Sequence, residues 1–73
     1  MYNKREFAII TPDEKGVNNV VGVNMFEDPT TANNFVKIMY DKDSYAIDCS
    51  EFQMELPAVY RDGIFVLIKK IPK

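Results

Sequence analysis

Two stretches near the start of the chain have patterns of apolar positions that are typical of β-strands. Residues 6–11 have the sequence EFAIIT and residues 17–26 have the sequence VNNVVGVNMF, and each predicts a strand. The intervening PDEKG contains a proline, which fixes φ, and a glycine, which can adopt positive φ. Together these features predict a β-hairpin.

The second strand has one uniformly apolar face. Val21, Val23 and Met25 fall on that face, and we expect it to point into the core. Gly22 falls on the opposite face, where a glycine indicates a β-bulge or a close approach by another backbone.

An amphipathic helix is the clearest pattern in the chain. Asp28 is suited to cap its free N–H groups, and Pro29 suits the first helical position. The i, i+3, i+4, i+7, i+8 spacing of an apolar helix face follows in Ala32, Phe35, Val36, Met39 and Tyr40. The solvent side carries Asn33, Asn34 and Lys37. We expect the helix to end near the polar residues 41–44.

Residues 45–50, with the sequence YAIDCS, also alternate like a strand. Tyr45, Ile47 and Cys49 share one face, and we expect this face to point inward. Residues 51–55 have no clear pattern.

A second hairpin is predicted at the end of the chain. Residues 56–61 and 64–71 form its arms, joined by an Asp-Gly dipeptide that favours the two positive φ angles of a type I′ turn. A two-residue turn places Tyr60 directly opposite Phe65. We expect this aromatic pair to stabilise the hairpin by about 0.2–1 kcal/mol.

The element order is therefore β-β-α-β-β-β, with one or two of the strands short. Strands grouped around one helix predict an α+β domain, in which a small antiparallel sheet of four or five strands has the amphipathic helix packed on one face. A chain of 73 residues is long enough for one domain, and we take residues 1–73 as that domain.

The last strand is apolar on both faces, whereas one short helix covers only one side of a sheet. Phe65 and Leu67 lie on one face of this strand, and Ile64, Val66 and Ile68 lie on the other. The second side of the sheet must meet a curled sheet, a long loop or another subunit. We expect a partner to cover the side of Ile64, which we call the candidate face. It comprises Val59, Arg61, Ile64, Val66 and Ile68.

Length and cysteine content favour association between subunits. A chain of 73 residues buries only about 60% of the surface that its unfolded form exposes, so its core is marginal. Cys49 is the only cysteine and there is no histidine. This excludes an intramolecular disulfide and a four-ligand structural zinc site within one chain. We therefore expect a homo-oligomer.

Charge and hydropathy argue against two classes of partner. The net charge is −2, whereas binding to phosphate backbones needs a surplus of lysine and arginine. The longest apolar run spans residues 64–68, far short of the roughly 20 residues of a membrane helix. The basic N-terminus lacks the apolar core of a signal peptide. We expect an intracellular protein that binds neither nucleic acid nor membrane.

The patterns that suggest catalysis or metal binding are incomplete. Asp41 and Asp43 begin an Asp-x-Asp pattern typical of calcium loops, but position six is Ala46 and position twelve is Phe52. Cys49 lacks the histidine that would activate it as a nucleophile, and there is no glycine-rich phosphate loop. We therefore predict that the protein is not an enzyme, with no catalytic, cofactor-binding or metal-binding residues and no cofactor.

The sequence YRDGIF at residues 60–65 matches Tyr-x-x-Gly-x-Phe, a segment that closes many small proteins of tailed bacteriophages. The chain resembles this group in outline too, with a strand like FAII, a second strand like VVGVNMFED, a short helix, a strand and the final turn. The preceding ELPA departs from the glycine-rich residues often found there. The resemblance implies a phage origin and a place near virion or tail components. The group has no single activity, so the resemblance implies no catalytic residues.

Two functions fit these features. We expect a small non-enzymatic phage protein that acts through protein–protein contacts with a phage or host protein, as a virion or tail accessory. The alternative is an inhibitor or ligand-sequestering protein that blocks a host defence system, and a pocket at a subunit interface lined by Arg61 would favour it. Both would be made in the host cytoplasm, and the accessory protein would also be present in the virion.

Overall fold

The computed structural model describes residues 3–68, which form one five-stranded sheet and one helix. The elements are β1 (Arg5–Pro12), β2 (Asn18–Phe26), α1 (Pro29–Met39), β3 (Tyr45–Asp48), β4 (Ala58–Arg61) and β5 (Ile64–Leu67). Their order in the sheet is β3-β1-β2-β4-β5, and every neighbouring pair is antiparallel. The predicted α+β fold is therefore confirmed. The last strand ends earlier than predicted, and residues 69–71 of that prediction lie outside the described residues.

β1 is the centre of the core, because both of its faces are buried. Phe7, Ala8, Ile9 and Ile10 are all enclosed, so four consecutive side chains are removed from solvent. Side chains alternate along a strand, so Phe7 and Ile9 point to one face of the sheet and Ala8 and Ile10 to the other. We call these faces the helix side and the loop side.

On the helix side, α1 packs against β1, β3 and the end of β2. Asp28 caps the helix as predicted, accepting a hydrogen bond from the Thr31 N–H at 2.7 Å. Two helix residues, Ala32 and Val36, are buried. Their cluster also contains Phe7, Ile9, Phe26 and Ala46.

The buried stripe of α1 is narrower than predicted. Phe35, Met39 and Tyr40 were expected on the apolar face, yet all three are exposed to solvent. α1 lies towards the β3 end of the sheet with Asn33 facing β3, so the opposite flank, which carries Phe35, is only partly covered. Met39 and Tyr40 are the last residue and the C-cap of the helix. Phe35 still contacts Phe26 at a ring-centroid distance of 5.2 Å, so it lies above the end of β2.

On the loop side, the segment of residues 49–57 covers the sheet. Cys49 is buried there, and Met54 packs against the cluster from the same segment. The buried strand residues of this cluster are Ala8, Ile10, Val20 and Ala58. Of the three possible coverings for the second side of the sheet, the structure therefore has a long loop. Tyr45 and Ile47 are half-buried against it, and they point inward as predicted.

The prediction for β2 was wrong. Val21, Val23 and Met25 were expected in the core, but they are 45%, 37% and 47% exposed. The register shows the cause, because Ile9 pairs with Gly22 and Ile10 pairs with Val20, which leaves Val21 as the extra residue of a β-bulge.

The bulge shifts the alternation of β2 by one residue. Val20 is buried on the loop side and Phe26 on the helix side, although simple alternation assigns both to one face. Of the two features that Gly22 indicated, the structure has the β-bulge, which lies next to it at Val21. The Tyr40 Oη lies 3.9 Å from the position that a Cβ of Gly22 would occupy.

The C-terminal hairpin has the predicted turn and register. Asp62 and Gly63 have φ values of 54° and 80°, the pair of positive angles that a type I′ turn requires. Tyr60 pairs with Phe65, and their ring centroids are 4.9 Å apart. β4 begins at Ala58 rather than at residue 56.

Candidate interaction face

The β4–β5 hairpin places four residues of the candidate face side by side. Val59 pairs with Val66, and Arg61 pairs with Ile64. Directly paired residues point to the same face of a sheet, so these side chains share one side. Ile68 continues the ladder by one step, because its N–H donates to the Pro57 carbonyl oxygen at 2.9 Å.

The register across the sheet shows that the candidate face lies on the helix side. Val59 pairs with Asn19, and Asn19 pairs with Thr11. Thr11 follows Ile9 by two positions in β1, and it therefore shares the face of Ile9, which packs under α1. The candidate face is thus the part of the helix side that lies beyond the reach of α1.

Exposure differs among the residues of the candidate face. Ile64, Val66 and Ile68 are 61%, 38% and 47% exposed, and Arg61 is exposed beside the turn. Val59 is only 7% exposed, so it is buried between its neighbours and offers little surface for contact. Within residues 3–68, no segment of the chain covers the three exposed aliphatic side chains.

The opposite side of the same hairpin is covered by the chain itself. Phe65 and Leu67 are half-buried on the loop side. Phe52, from the covering loop, lies against Phe65 at a ring-centroid distance of 5.3 Å. The two apolar faces of the last strand therefore differ: one belongs to the core, and the other is a solvent-facing surface.

A shallow depression lies next to the candidate face. Its volume is about 230 Å³, and it is lined by the β1–β2 loop at Gly16 and Val17 together with Arg61 and Asp62 of the second turn. Pockets that enclose a drug-sized ligand usually measure about 300–1,000 Å³. This depression is therefore better suited to contact with a surface than to enclosing a small molecule within one chain.

The cysteine and the acidic side chain that could take part in chemistry lie outside the candidate face. Cys49 is buried, and burial raises the pKa of its thiol, which keeps the sulfur protonated at neutral pH. Asp48 has a lowered pKa, mainly because it accepts hydrogen bonds from the backbone N–H and hydroxyl of Ser50. Its carboxylate also forms an ion pair with Arg5 at 2.9 Å. Within residues 3–68, no group of three His, Cys, Asp or Glu side chains is arranged to hold a metal ion.

Comparison with known proteins gave no relative. No protein-family model, no curated protein and no solved structure matches this chain. The resemblance to small phage proteins therefore stays a prediction based on YRDGIF and on the element order. Among residues 3–68, there is no helix of the length and apolarity that crossing a membrane requires.

Two features of the surface were missed by sequence reasoning. Ile38 is exposed on the outer face of α1, and its place outside the i, i+3, i+4 stripe was a signal that could have identified it. Asn33 was assigned to the solvent side, yet its side chain bonds to the backbone of Ala46. No sequence signal identifies that contact, because it depends on where β3 lies relative to the helix.

Proposed function

We propose that this chain is a small non-enzymatic binding protein that acts through protein–protein contacts at the candidate face. The observation that carries the proposal is the set of three adjacent aliphatic side chains, Ile64, Val66 and Ile68, that point to solvent from the last strand and its end. Contiguous exposed apolar patches on small proteins mark sites of contact with other proteins.

The rigidity of the candidate face supports this role. Its side chains stand on a hydrogen-bonded hairpin whose other side is packed into the core by Phe65 and Leu67. A surface that is already ordered loses little conformational entropy on binding. Arg61 lies at the rim beside Ile64, and an apolar centre with an arginine nearby is a composition that protein interfaces favour.

The biological setting of the proposal comes from the resemblance to tailed-phage proteins. In that setting the protein is made in the host cytoplasm, binds a phage protein and enters the particle as a virion or tail accessory. The alternative is an inhibitor or ligand-sequestering protein that blocks a host defence system. The depression beside Arg61 favours that alternative if a second chain completes it into a pocket.

Site-specific photocrosslinking during infection tests the proposal. A photoreactive side chain at position 64 reports on the candidate face, and one at Ile38 is the matched control, because Ile38 is even more exposed but lies on the helix. We expect position 64 to crosslink to one virion protein in purified particles and position 38 to give no such product. Crosslinking of position 64 to a host protein, with no copies in particles, would favour the inhibitor. Equal crosslinking from both positions would refute a specific role for the face.

A further inference from the structure

Two open strand edges of the sheet, one on β3 and one on β2, differ in how they are protected. β3 is an edge strand, and the Asn33 side chain of α1 caps it: Oδ1 accepts from the Ala46 N–H at 3.0 Å and Nδ2 donates to the Ala46 carbonyl at 3.3 Å. Lys37 Nζ donates to the Ser44 carbonyl at 3.0 Å. Side chains that occupy edge groups in this way prevent the addition of another strand.

The part of β2 beyond its pairing with β4 is also an open edge, and among residues 3–68 no side chain caps it at Val23. β4 pairs with β2 only at Asn19 and Val20, so within the described residues no strand lies beside β2 from Val21 onwards. The direction of its backbone groups follows from the neighbouring strands. The Glu6 carbonyl accepts a hydrogen bond from the Cys49 N–H, which shows that the backbone groups of Glu6 point towards β3.

Backbone groups of an antiparallel strand alternate between its two neighbours. The backbone groups of Glu6 and Ala8 therefore point to β3. Those of Phe7 point to β2 and form hydrogen bonds with its partner Asn24. The backbone groups of the residues on either side of Asn24, Val23 and Met25, must then point away from β1. The Met25 N–H confirms this direction, because the Asn24 Oδ1 accepts it at 2.8 Å.

We propose that two copies of this chain associate by antiparallel pairing of their β2 edges about a two-fold axis at Asn24. This register uses residues 22–26 and avoids the positions that β4 occupies. Val23 of each copy then faces Met25 of the other, and each pair exchanges backbone N–H···O bonds. The Asn24 amides meet each other across the axis and release the Met25 N–H for this pairing.

The edge is complementary to itself, which is why the partner is a second copy. No charged residue occurs anywhere in β2, so pairing brings no like charges together. The loop side gains contact between the exposed side chains of Val23 and Met25. On the helix side, Phe26 faces Gly22 of the other copy. This brings the half-exposed Phe35, which lies over Phe26, next to the other copy's Tyr40, which lies over Gly22.

This association is independent of the contact proposed for the candidate face, and two substitutions separate them. Asn24→Asp places two carboxylates against each other on the axis while preserving size, so we expect the dimer dissociation constant to rise at least about tenfold. Asn34→Asp makes the same change on the exposed outer side of α1 and should leave the dimer intact. Sedimentation equilibrium of the full chain over a wide concentration range measures both. A mixture of Asn24→Asp and Asn24→Lys chains should recover dimers, because opposite charges then meet.

Disulfide trapping tests the register. Antiparallel residues in a pair without mutual hydrogen bonds have Cα atoms about 4.5 Å apart, within the range that a disulfide spans. Asn24→Cys should therefore give a covalent dimer on mild oxidation, whereas Asn34→Cys should remain monomeric, and the buried Cys49 should not react in either. The proposal is overturned if the unmodified chain is a monomer throughout. It is also overturned if Asn24→Cys crosslinks no faster than Asn34→Cys, or if Ile64→Lys dissociates the dimer and Asn24→Asp does not.

Discussion

The cap that Asn33 provides to β3 gives a sharp test of the fold. Asn33→Ala removes the hydrogen bonds to the Ala46 N–H and carbonyl, together with one from Nδ2 to the Pro29 carbonyl at 2.9 Å. Ala46 is buried, so its backbone groups are left without partners in a site that water reaches poorly. Leaving such groups unpaired costs about 1–3 kcal/mol. Alanine is a better helix former than asparagine by up to about 0.7 kcal/mol. The expected net loss is therefore about 1–2 kcal/mol.

Asn34→Ala is the matched control, because it has the same helix-propensity gain and its side chain is exposed. Urea denaturation at pH 7 should show a lower midpoint for Asn33→Ala with an unchanged slope, and no loss for Asn34→Ala. A domain of this length has a total stability of about 4–11 kcal/mol, so the difference is measurable. In thermal unfolding it corresponds to a fall in Tm of about 4–16 °C. A difference below about 0.5 kcal/mol between the two variants would refute the idea that the amide closes this edge.

Three further predictions concern the turn, the helix cap and the thiol. Gly63→Ala should destabilise the protein by about 1–2 kcal/mol in urea denaturation, because Gly63 has a φ of 80° that residues with a Cβ adopt at a cost; equal stability would mean that the turn relaxes. Hydrogen bonds from Thr31 hold the pKa of Asp28 below 3.8. The stabilising contribution of this cap is therefore complete above that value and is lost as the pH falls through the folded-state pKa. Asp28→Ala should be less stable than the parent chain at pH 7, and the difference in unfolding free energy between the two chains should be smaller at pH 2. Cys49, which is buried with a raised pKa, should react with a thiol reagent at pH 8 far more slowly in the folded chain than in urea; equal rates would contradict the burial.

Local sequence patterns predicted the order of the elements and their turns. Asp28 and Pro29 at the start of α1, and the Asp-Gly dipeptide in the last hairpin, act through their own backbone angles and neighbouring hydrogen bonds. Such interactions are contained within a few residues, so a single sequence is enough to identify them. The α+β architecture followed because one helix among short strands allows few arrangements.

The assignment of faces was less predictable, because it depends on partners that are distant in sequence. The bulge at Val21 exists only in relation to Ile9 and Ile10 of the neighbouring strand, and it reversed the expected orientation of half of β2. The residues of the final hairpin were divided correctly between its two faces, because the two-residue turn fixes the pairing register. Which side is covered was decided by residues 49–57, a segment without a periodic pattern.

The division of the core into a helix side and a loop side has a consequence for synthesis on the ribosome. The helix-side cluster is complete once residues up to Ala46 have emerged, because all of its members lie in the first two-thirds of the chain. The loop-side cluster joins Ala8 and Ile10 to Ala58 and Leu67, so it requires nearly the whole chain. A nascent or prematurely terminated chain can therefore build its first cluster while it still presents the even-numbered side chains of β1 to chaperones and proteases. The covering loop of residues 49–57 and the last hairpin together hide them.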